Sequence, residues 1–389
     1  VFPNEPCITV YANTIEAQII ETDLLNKFNF GSLITTKASR MVNSADGRGI
    51  MEFGARRAQE GDAVTEGAKY AYIGGFVGTS CYEAGKKHNI PILGTMAHSH
   101  IQKYDTEYEA FLEYAKTFPN NTVLLVDTYD TLRSGVVNAI KVAKEYLIPN
   151  GYRLKGIRLD SGDLAYLSKE ARKMLDEAGL TDTKIVASNS LDEYIIKDLI
   201  AQGAKIDTFG VGEKVITATD CPVFGGVYKL VAIEENGEVK SKIKLSNDLV
   251  KITNPGYKKV YRFYDKKTGY ALGDVVALAD ELIPTESYTL ISEKDRGKKK
   301  ELANYIVREL QVPIFKNGEL VYKDPTGKEK REYCKKEVMS LYEEMRRLVN
   351  PAEYYVDLSD ELYDLKTELK DEAQKVMVKK IWEQKNWKN

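Results

Sequence analysis

Histidine and cysteine are scarce in this chain, with three histidines and four cysteines in 389 residues. Cys7, Cys81, Cys221 and Cys334 stand far apart and form no Cys-x-x-Cys pair. A disulfide framework is therefore not expected, and reduced thiols in a cytoplasm are. So few histidines leave no His-rich metal cluster. No apolar run reaches the length of a membrane span, and no signal peptide is read at the first residues. A global basic field is missing too: the formal net charge is −2, and the lysines at 297–300 and near the C-terminus lie among acidic residues. Neither nucleic acid nor a membrane surface is an expected partner. No Gly-x-Gly-x-x-Gly opens a helix near the first strand and no Walker A sequence occurs, which excludes the usual dinucleotide and P-loop sites. The chain opens on Val1-Phe2-Pro3-Asn4-Glu5-Pro6 without an initiator methionine, and it is expected to begin inside a longer protein.

What is present is a rhythm. After an expected strand at 7–11 and helices at 14–28 and 33–45, short apolar runs recur at 50–53, 70–73, 90–93, 122–126, 155–159, 184–187 and 206–209. Amphipathic stretches at 131–147, 163–179 and 191–202 follow several of them. Short apolar strands alternating with helices predict a parallel sheet covered on both faces. Seven such runs within about 170 residues suit a barrel, whose chemistry sits at the C-terminal strand ends. Beyond 217 the pattern changes to strands at 226–233, 239–244 and 258–264, with Glu235-Asn236-Gly237 as a hairpin turn. From about 286 the chain reads as charged and mainly helical, its longest periodic segments being 335–347 and 359–385.

Polar residues cluster where the strands end. Gly210 and Gly212 allow backbone N–H groups to approach an anion, and Ser188 and Asn189 add neutral donors, which together suit a phosphomonoester. Arg158 and Asp160 bracket Leu159 and point to one side of an extended chain. They can grip a carboxylate, a ribose or a Mg²⁺ ion, or they can simply pair with each other. Arg56 and Arg57 beside Phe53 suit a planar anion, packing or an interface. His98, at a strand end with Asp127 at the next, fits a general base or a phosphoryl acceptor. His88 is expected at the surface.

In combination, Glu-Phe-Gly-x-Arg-Arg (52–57), Gly-Thr-Met-Ala-His-Ser (94–99) and Arg-x-Asp-Ser-Gly-Asp-Leu (158–164) resemble nicotinate phosphoribosyltransferases. Further matching stretches at 1–6, 36–40, 126–130, 186–189, 209–212 and 225–230 occur in family order. The resemblance implies an irregular α/β barrel of the type II phosphoribosyltransferase kind with a split β-rich domain, working as a homodimer. The expected layout is 1–13 and 221–285 in the β-rich domain, 14–220 as the barrel, and 286–389 as the helical region. It implies transfer of phosphoribosyl from 5-phosphoribosyl-1-pyrophosphate to nicotinate, giving nicotinate mononucleotide in NAD biosynthesis, with Mg²⁺ and with ATP hydrolysis coupled through a phosphohistidine. By residue match, His98 is that phosphohistidine and Asp127 its orienting carboxylate. Arg158 and Phe53 contact nicotinate, and Arg40, Arg56 and Asp160 contact the phosphoribosyl pyrophosphate or its metal. Ser188, Asn189, Gly210 and Gly212 cradle the 5′-phosphate. Glu213 departs from the family pattern, and either it turns outward or the phosphate sits higher in the loop. The alternatives are a nicotinamide or quinolinate phosphoribosyltransferase, or a sugar-phosphate-binding barrel without turnover.

Overall fold

The computed structural model describes residues 1–246 and 252–386, with side chains to 376. It divides into two compact units. One comprises 26–225 and 325–337, and the other 1–25, 226–324 and 338–389.

The chain enters through α1 (Thr14–Ile19) and α2 (Glu21–Ser44). The expected helices at 14–28 and 33–45 thus become a short helix and a long one. α2 runs through Gly31, which lies in the gap between the two expected helices. A Cβ there would lie 3.0 Å from the Tyr70 ring, so the glycine serves close packing rather than a turn. The unit that starts at Asn26 within α2 goes on to β1 (Gly49–Glu52), α3 (Gly61–Ile73), β2 (Gly78–Thr79), α4 (Tyr82–His88), α5 (His98–Gln102), α6 (Glu107–Thr117) and β3 (Val123–Leu125). Then come a π-turn at Thr131–Gly135, α7 (Val136–Val142), β4 (Gly156–Leu159), α8 (Leu164–Glu177), β5 (Lys184–Ser188), α9 (Glu193–Ala201), β6 (Thr208–Val211) and α10 (Glu213–Ile216).

These strands form one six-stranded parallel sheet in the order β2-β1-β6-β5-β4-β3, as the alternation predicts. A single bridge from Thr79 to Ile92 is all that remains of the expected strand at 90–93. The run 70–73 is not a strand but the last turn of α3, whose buried Thr65, Ala68 and Ala71 recur at helical spacing. Four apolar residues alone do not separate the two periods. Phe76, Phe111 and Phe209 are wholly buried in this core, each contributing roughly 1.5–3 kcal/mol by leaving water.

The other unit carries β7 (Ala232–Glu235), β8 (Glu238–Ser241), β9 (Lys258–Asp265), β10 (Ala271–Leu278), β11 (Ser287–Ile291), β12 (Lys299–Ala303) and β13 (Tyr305–Glu309). It adds β14 (Phe315–Lys316), β15 (Glu319–Leu320), β16 (Val356–Leu358) and α12 (Asp360–Asn386), while α11 (Gly327–Met339) lies almost entirely in the first unit. The β7–β8 hairpin turns on Asn236 and Gly237, both at positive φ (55° and 80°), as the sequence motif predicts. Three expectations fail here. Of the strand expected at 226–233 only the end is realised, in β7 at Ala232–Glu235. Residues 7–11 form no strand: Ile8 and Tyr11 are exposed, and the segment is held by Gln311, which donates to Pro6 O and Thr9 Oγ1. The stretch 287–320 is β-structure rather than helix. Charged residues occupy its exposed faces while Leu290, Leu302 and Tyr305 fill a core with Phe263 and Val275, so alternation is masked by composition. Helical character holds over α12 and over α11, although α11 ends at Met339 rather than running on to 347.

Inside this unit Asp274 is fully buried. It accepts from Arg262 Nε and Nη2 (2.8 and 2.7 Å) and from the Tyr354 hydroxyl (2.7 Å). Phe2 stacks on Tyr354 with ring centres 3.9 Å apart, and the Phe2 N–H donates to Glu5 Oε2 (2.7 Å). Burial, and then the adjacent Asp274 carboxylate, push the Glu5 pKa up to about 8. A raised carboxyl pKa means that the folded state holds a proton the unfolded chain releases. The stability this adds is complete below about pH 4.5 and is lost as pH rises toward 8, at up to ~1.4 kcal/mol per pH unit. Glu5→Gln keeps an acceptor for Phe2 and offers a neutral donor to Asp274. Denaturant titrations at pH 5, 6.5 and 8 should show stability falling less steeply in the variant, which overtakes the parent at pH 8; parallel slopes would refute the assignment.

Candidate active site

Parallel strands deliver their C-termini to one edge. Leu125, Arg158 and Val186 are in register, as are Leu159, Ala187 and Phe209, and then Ser188, Gly210 and Met51. Hence Asp127, Asp160, Ser188, Gly210 and Phe53 all emerge at that edge.

Arg158 is the hub. Its Nε donates to Ser188 Oγ (2.9 Å), Nη1 to Thr95 Oγ1 (2.6 Å) and Nη2 to Asp160 Oδ1 (2.9 Å). Its guanidinium lies 5.7 Å from the centre of the Phe53 ring. The internal Arg–Asp pair left open by the sequence is therefore formed, within a larger network. Ser188 Oγ also donates to Asp160. Burial alone would raise the Asp160 pKa, but the hydrogen bonds from Ser188 and Arg158 and the charge of Arg158 outweigh it. Asp160 is held below the usual carboxylate range.

His98 sits at the head of α5. Its Nδ1 is 3.2 Å from Thr128 Oγ1, while Nε2 faces Asp160 Oδ2 at 3.6 Å and Asp127 Oδ1 at 4.0 Å. The Asp127 side chain is 1% exposed. Its Oδ2 accepts from the Asp160 N–H (2.8 Å) and Ser161 Oγ (2.7 Å), and its Oδ1 is buried with no hydrogen-bond partner. One imidazole nitrogen thus faces a hydroxyl and the other two carboxylates.

Gly210 lies inside β6 rather than after it, because the expected strand at 206–209 is displaced to Thr208–Val211. A Cβ on Gly210 would stand 2.5 Å from Phe53 Cε2, and one on Gly212 would stand 2.8 Å from Phe53 O. Both glycines make room for Phe53. Glu52 is 1% exposed; it accepts from Thr79 Oγ1 (2.6 Å) and from the Gly54 N–H, which fixes the turn that carries Phe53. Burial raises the Glu52 pKa despite those two bonds.

The structure does not bring every expected residue into this network. Arg40 pairs with Glu193 and Tyr194 instead, Arg56 is exposed, and Asn189 is exposed at φ 93°. Glu213 turns outward, 3.5 Å from Arg57. His88 is a correction: it is mostly buried, with Nε2 3.3 Å from Glu66 Oε1. His100 packs against Tyr104 and Tyr114. Thr95, Thr128, Ser161 and Glu52 were not singled out from the sequence, although Thr95, Ser161 and Glu52 stand within the three quoted motifs and Thr128 within the matching stretch 126–130. An open polar cavity of about 630 Å³ at the opposite strand ends, lined by Arg48, Arg172, Lys184 and Asp207, is not the better candidate. Its arginines are spent on backbone carbonyls, and Lys184 pairs with Asp207.

Fold and site together define an α/β protein of the class whose polar and charged groups gather at the C-terminal edge of a parallel sheet, where such folds bind their ligands. Residues 49–278 match the model of the nicotinate phosphoribosyltransferase family, and 257–366 match its C-terminal domain. The nicotinate phosphoribosyltransferase of Bacillus subtilis (strain 168) is 49% identical over 376 residues, covering 94% of this chain and 74% of that protein. That of Caenorhabditis elegans is 36% identical over 423 residues, with 93% and 74% coverage. The crystal structure of human nicotinic acid phosphoribosyltransferase superposes with a TM-score of 0.77 at 29% identity, covering 90% of this chain and 77% of that one. The chain belongs to the nicotinate phosphoribosyltransferase family.

Proposed function

We propose that the protein joins nicotinate to 5-phosphoribosyl-1-pyrophosphate, releasing pyrophosphate and forming nicotinate mononucleotide for NAD biosynthesis, with ATP hydrolysis coupled through His98. The observation that carries this reading is the network of Arg158, Asp160, Asp127 and His98 beside Phe53, in a chain of this family.

Departure of pyrophosphate leaves positive charge on the ribose carbon, so the site must hold a highly anionic leaving group and aim the ring nitrogen at that carbon. Phe53 offers a face for the pyridine ring, and Arg158, locked by Ser188 and Thr95, offers charge to its carboxylate. Ser188, Asn189, Gly210 and Gly212 are assigned to the 5′-phosphate, and Arg40 and Arg56 to the pyrophosphate. Mg²⁺ bound mainly through substrate phosphates needs only one or two protein carboxylates. Asp160 and the unpartnered Asp127 Oδ1 fit that need, although no cluster of three potential ligands occurs among the described residues. The ion would neutralise pyrophosphate charge. A homodimer is proposed as well: α1 buries no residue, and its Ile15 and Ile19 are each 74% exposed. The mass of the protein in solution tests this. Four free thiols support a reducing, cytoplasmic setting, and among the described residues no helix is long and apolar enough to cross a membrane.

The test is product formation from nicotinate, nicotinamide or quinolinate with phosphoribosyl pyrophosphate, with and without ATP. Nicotinate should be preferred and ATP should stimulate; quinolinate turnover, or binding without turnover, would displace this reading. Arg158→Ala removes a charge-assisted contact of roughly 1.5–3 kcal/mol. It should raise the nicotinate KM by roughly ten- to a hundredfold and narrow the preference over nicotinamide, and unchanged discrimination would remove Arg158 from the substrate.

A further inference from the structure

Glu193 is a carboxylate with no exposed surface. It opens α9 directly after Asp192, whose own carboxylate accepts the Tyr194 and Ile195 N–H groups. The helix start is thus capped without Glu193, which turns toward α2. Its Oε1 accepts from Arg40 Nε (2.9 Å), and its Oε2 lies 2.8 Å from Lys37 Nζ. Lys37 is itself 6% exposed and pairs also with Asp220. A buried carboxylate without partners is costly, and two cations one turn apart on α2 offset that cost.

An ion pair joining two helices would account for Lys37 alone. Arg40 is different. Its side chain is 40% exposed; Nε meets Glu193, Nη2 meets the Tyr194 hydroxyl (3.1 Å), and Nη1 has no acceptor among the described residues. The guanidinium is held by one edge and presents the other. Between Glu193 and Ser188 of the site network lie Asn189 and Ser190, consecutive non-glycine residues at φ 93° and 48°. Such a conformation persists only where its surroundings hold it.

We propose that Glu193 is a positioning residue, which grips Arg40 by its Nε so that the free edge of the guanidinium meets the phosphorylated substrate at the end of β5. The inference rests on the proposed phosphoribosyl-transfer reading. Glu193→Gln keeps the shape and one acceptor oxygen but removes the charge. Steady-state kinetics, varying each substrate against a saturating partner, should show the phosphoribosyl pyrophosphate KM rising about tenfold, as expected for one weakened charge-assisted contact. The nicotinate KM should stay within about twofold of the parent. In an Arg40→Ala background the same substitution should add nothing further. Glu193→Asp, which keeps the charge but shortens its reach, should show the same selective rise and serves where Glu193→Gln does not fold. An unchanged phosphoribosyl pyrophosphate KM, an equal rise in both KM values, or an effect that persists without Arg40 would overturn the role of Glu193 alone. Absence of turnover by the parent enzyme would overturn the proposed function and this inference with it.

Discussion

Gly135→Ala is expected to leave little folded protein, or protein whose first unfolding transition comes roughly 10 °C lower. Gly135 closes the π-turn at Thr131–Gly135, where its N–H reaches back to Asp130 O (2.9 Å). A Cβ at this position would stand 2.6 Å from the carbonyl carbon of Val126 and 2.8 Å from its Cα, with the carbonyl oxygen closer still. No rotamer relieves this, because the clash is between a Cβ and backbone. Val126 is wholly buried and hydrogen-bonded to Arg158 O across the sheet (3.1 Å), so it cannot retreat without tearing β3 from β4. The clash therefore falls between the strand carrying Asp127 and the helix that follows it. A cost of roughly 3–5 kcal/mol is expected, at the upper end for single substitutions. Circular dichroism melts and soluble yield read it directly, and a parent-like midpoint would show that the π-turn relaxes to make room. Gly151→Ala is a useful contrast, since its Cβ meets nothing within 4 Å and only its positive φ of 79° opposes the substitution, at about 1 kcal/mol.

Gly135 also marks where the sequence stops being readable. Helix 131–147 was legible from periodicity, and it exists, but as a π-turn, an α-helix and a second π-turn. Nothing local announces a contact made to a strand nine residues earlier. The β3, β4 and β5 strands were legible because they are short, apolar and followed by acidic or hydroxyl residues, and buried parallel strands leave little else possible. Arg158 and Asp160 were legible as neighbours on one side of a strand, whereas Thr95 and Thr128, which engage Arg158 and His98, were not. A threonine's partner is set by tertiary placement and has no sequence period. Glu193 was hidden for a related reason. An acidic residue in the first turn of a helix is ordinary dipole compensation, and only the position of α2 shows that this one serves Lys37 and Arg40. The strands at 287–320 were missed because charged outward positions outweighed Leu290, Leu302 and Tyr305 in the composition, although alternation was present.

His98→Ala is expected to abolish ATP hydrolysis and ATP stimulation together, by well over a hundredfold, while leaving a slow ATP-independent transfer. Two carboxylates facing Nε2 favour a proton on that nitrogen. The lone pair then lies on Nδ1, 3.2 Å from Thr128 Oγ1. With Thr128 turned aside, Nδ1 can attack the γ-phosphorus of ATP; the N–P bond forms, the bond from phosphorus to the ADP oxygen breaks, and the positive charge left on the ring is met by Asp160 and Asp127. Water later takes the phosphoryl group and restores the imidazole. A phosphorylated His98 would add negative charge about one side chain from Asp160, at the place assigned to the leaving pyrophosphate. Phosphorylation and substrate occupancy would then influence each other, which is the coupling proposed. Residual transfer survives because Arg158 and its partners do not depend on the histidine: their bonds run to Ser188, Thr95 and Asp160. His100→Ala should leave the coupling intact, since that ring packs against Tyr104 and Tyr114 and not against the carboxylates. Incubation with γ-labelled ATP followed by peptide mapping should place acid-labile label on the peptide containing His98, and none should be recovered from His98→Ala. Label that persists in the variant, or ATP stimulation that survives in it, would assign the coupling to another group.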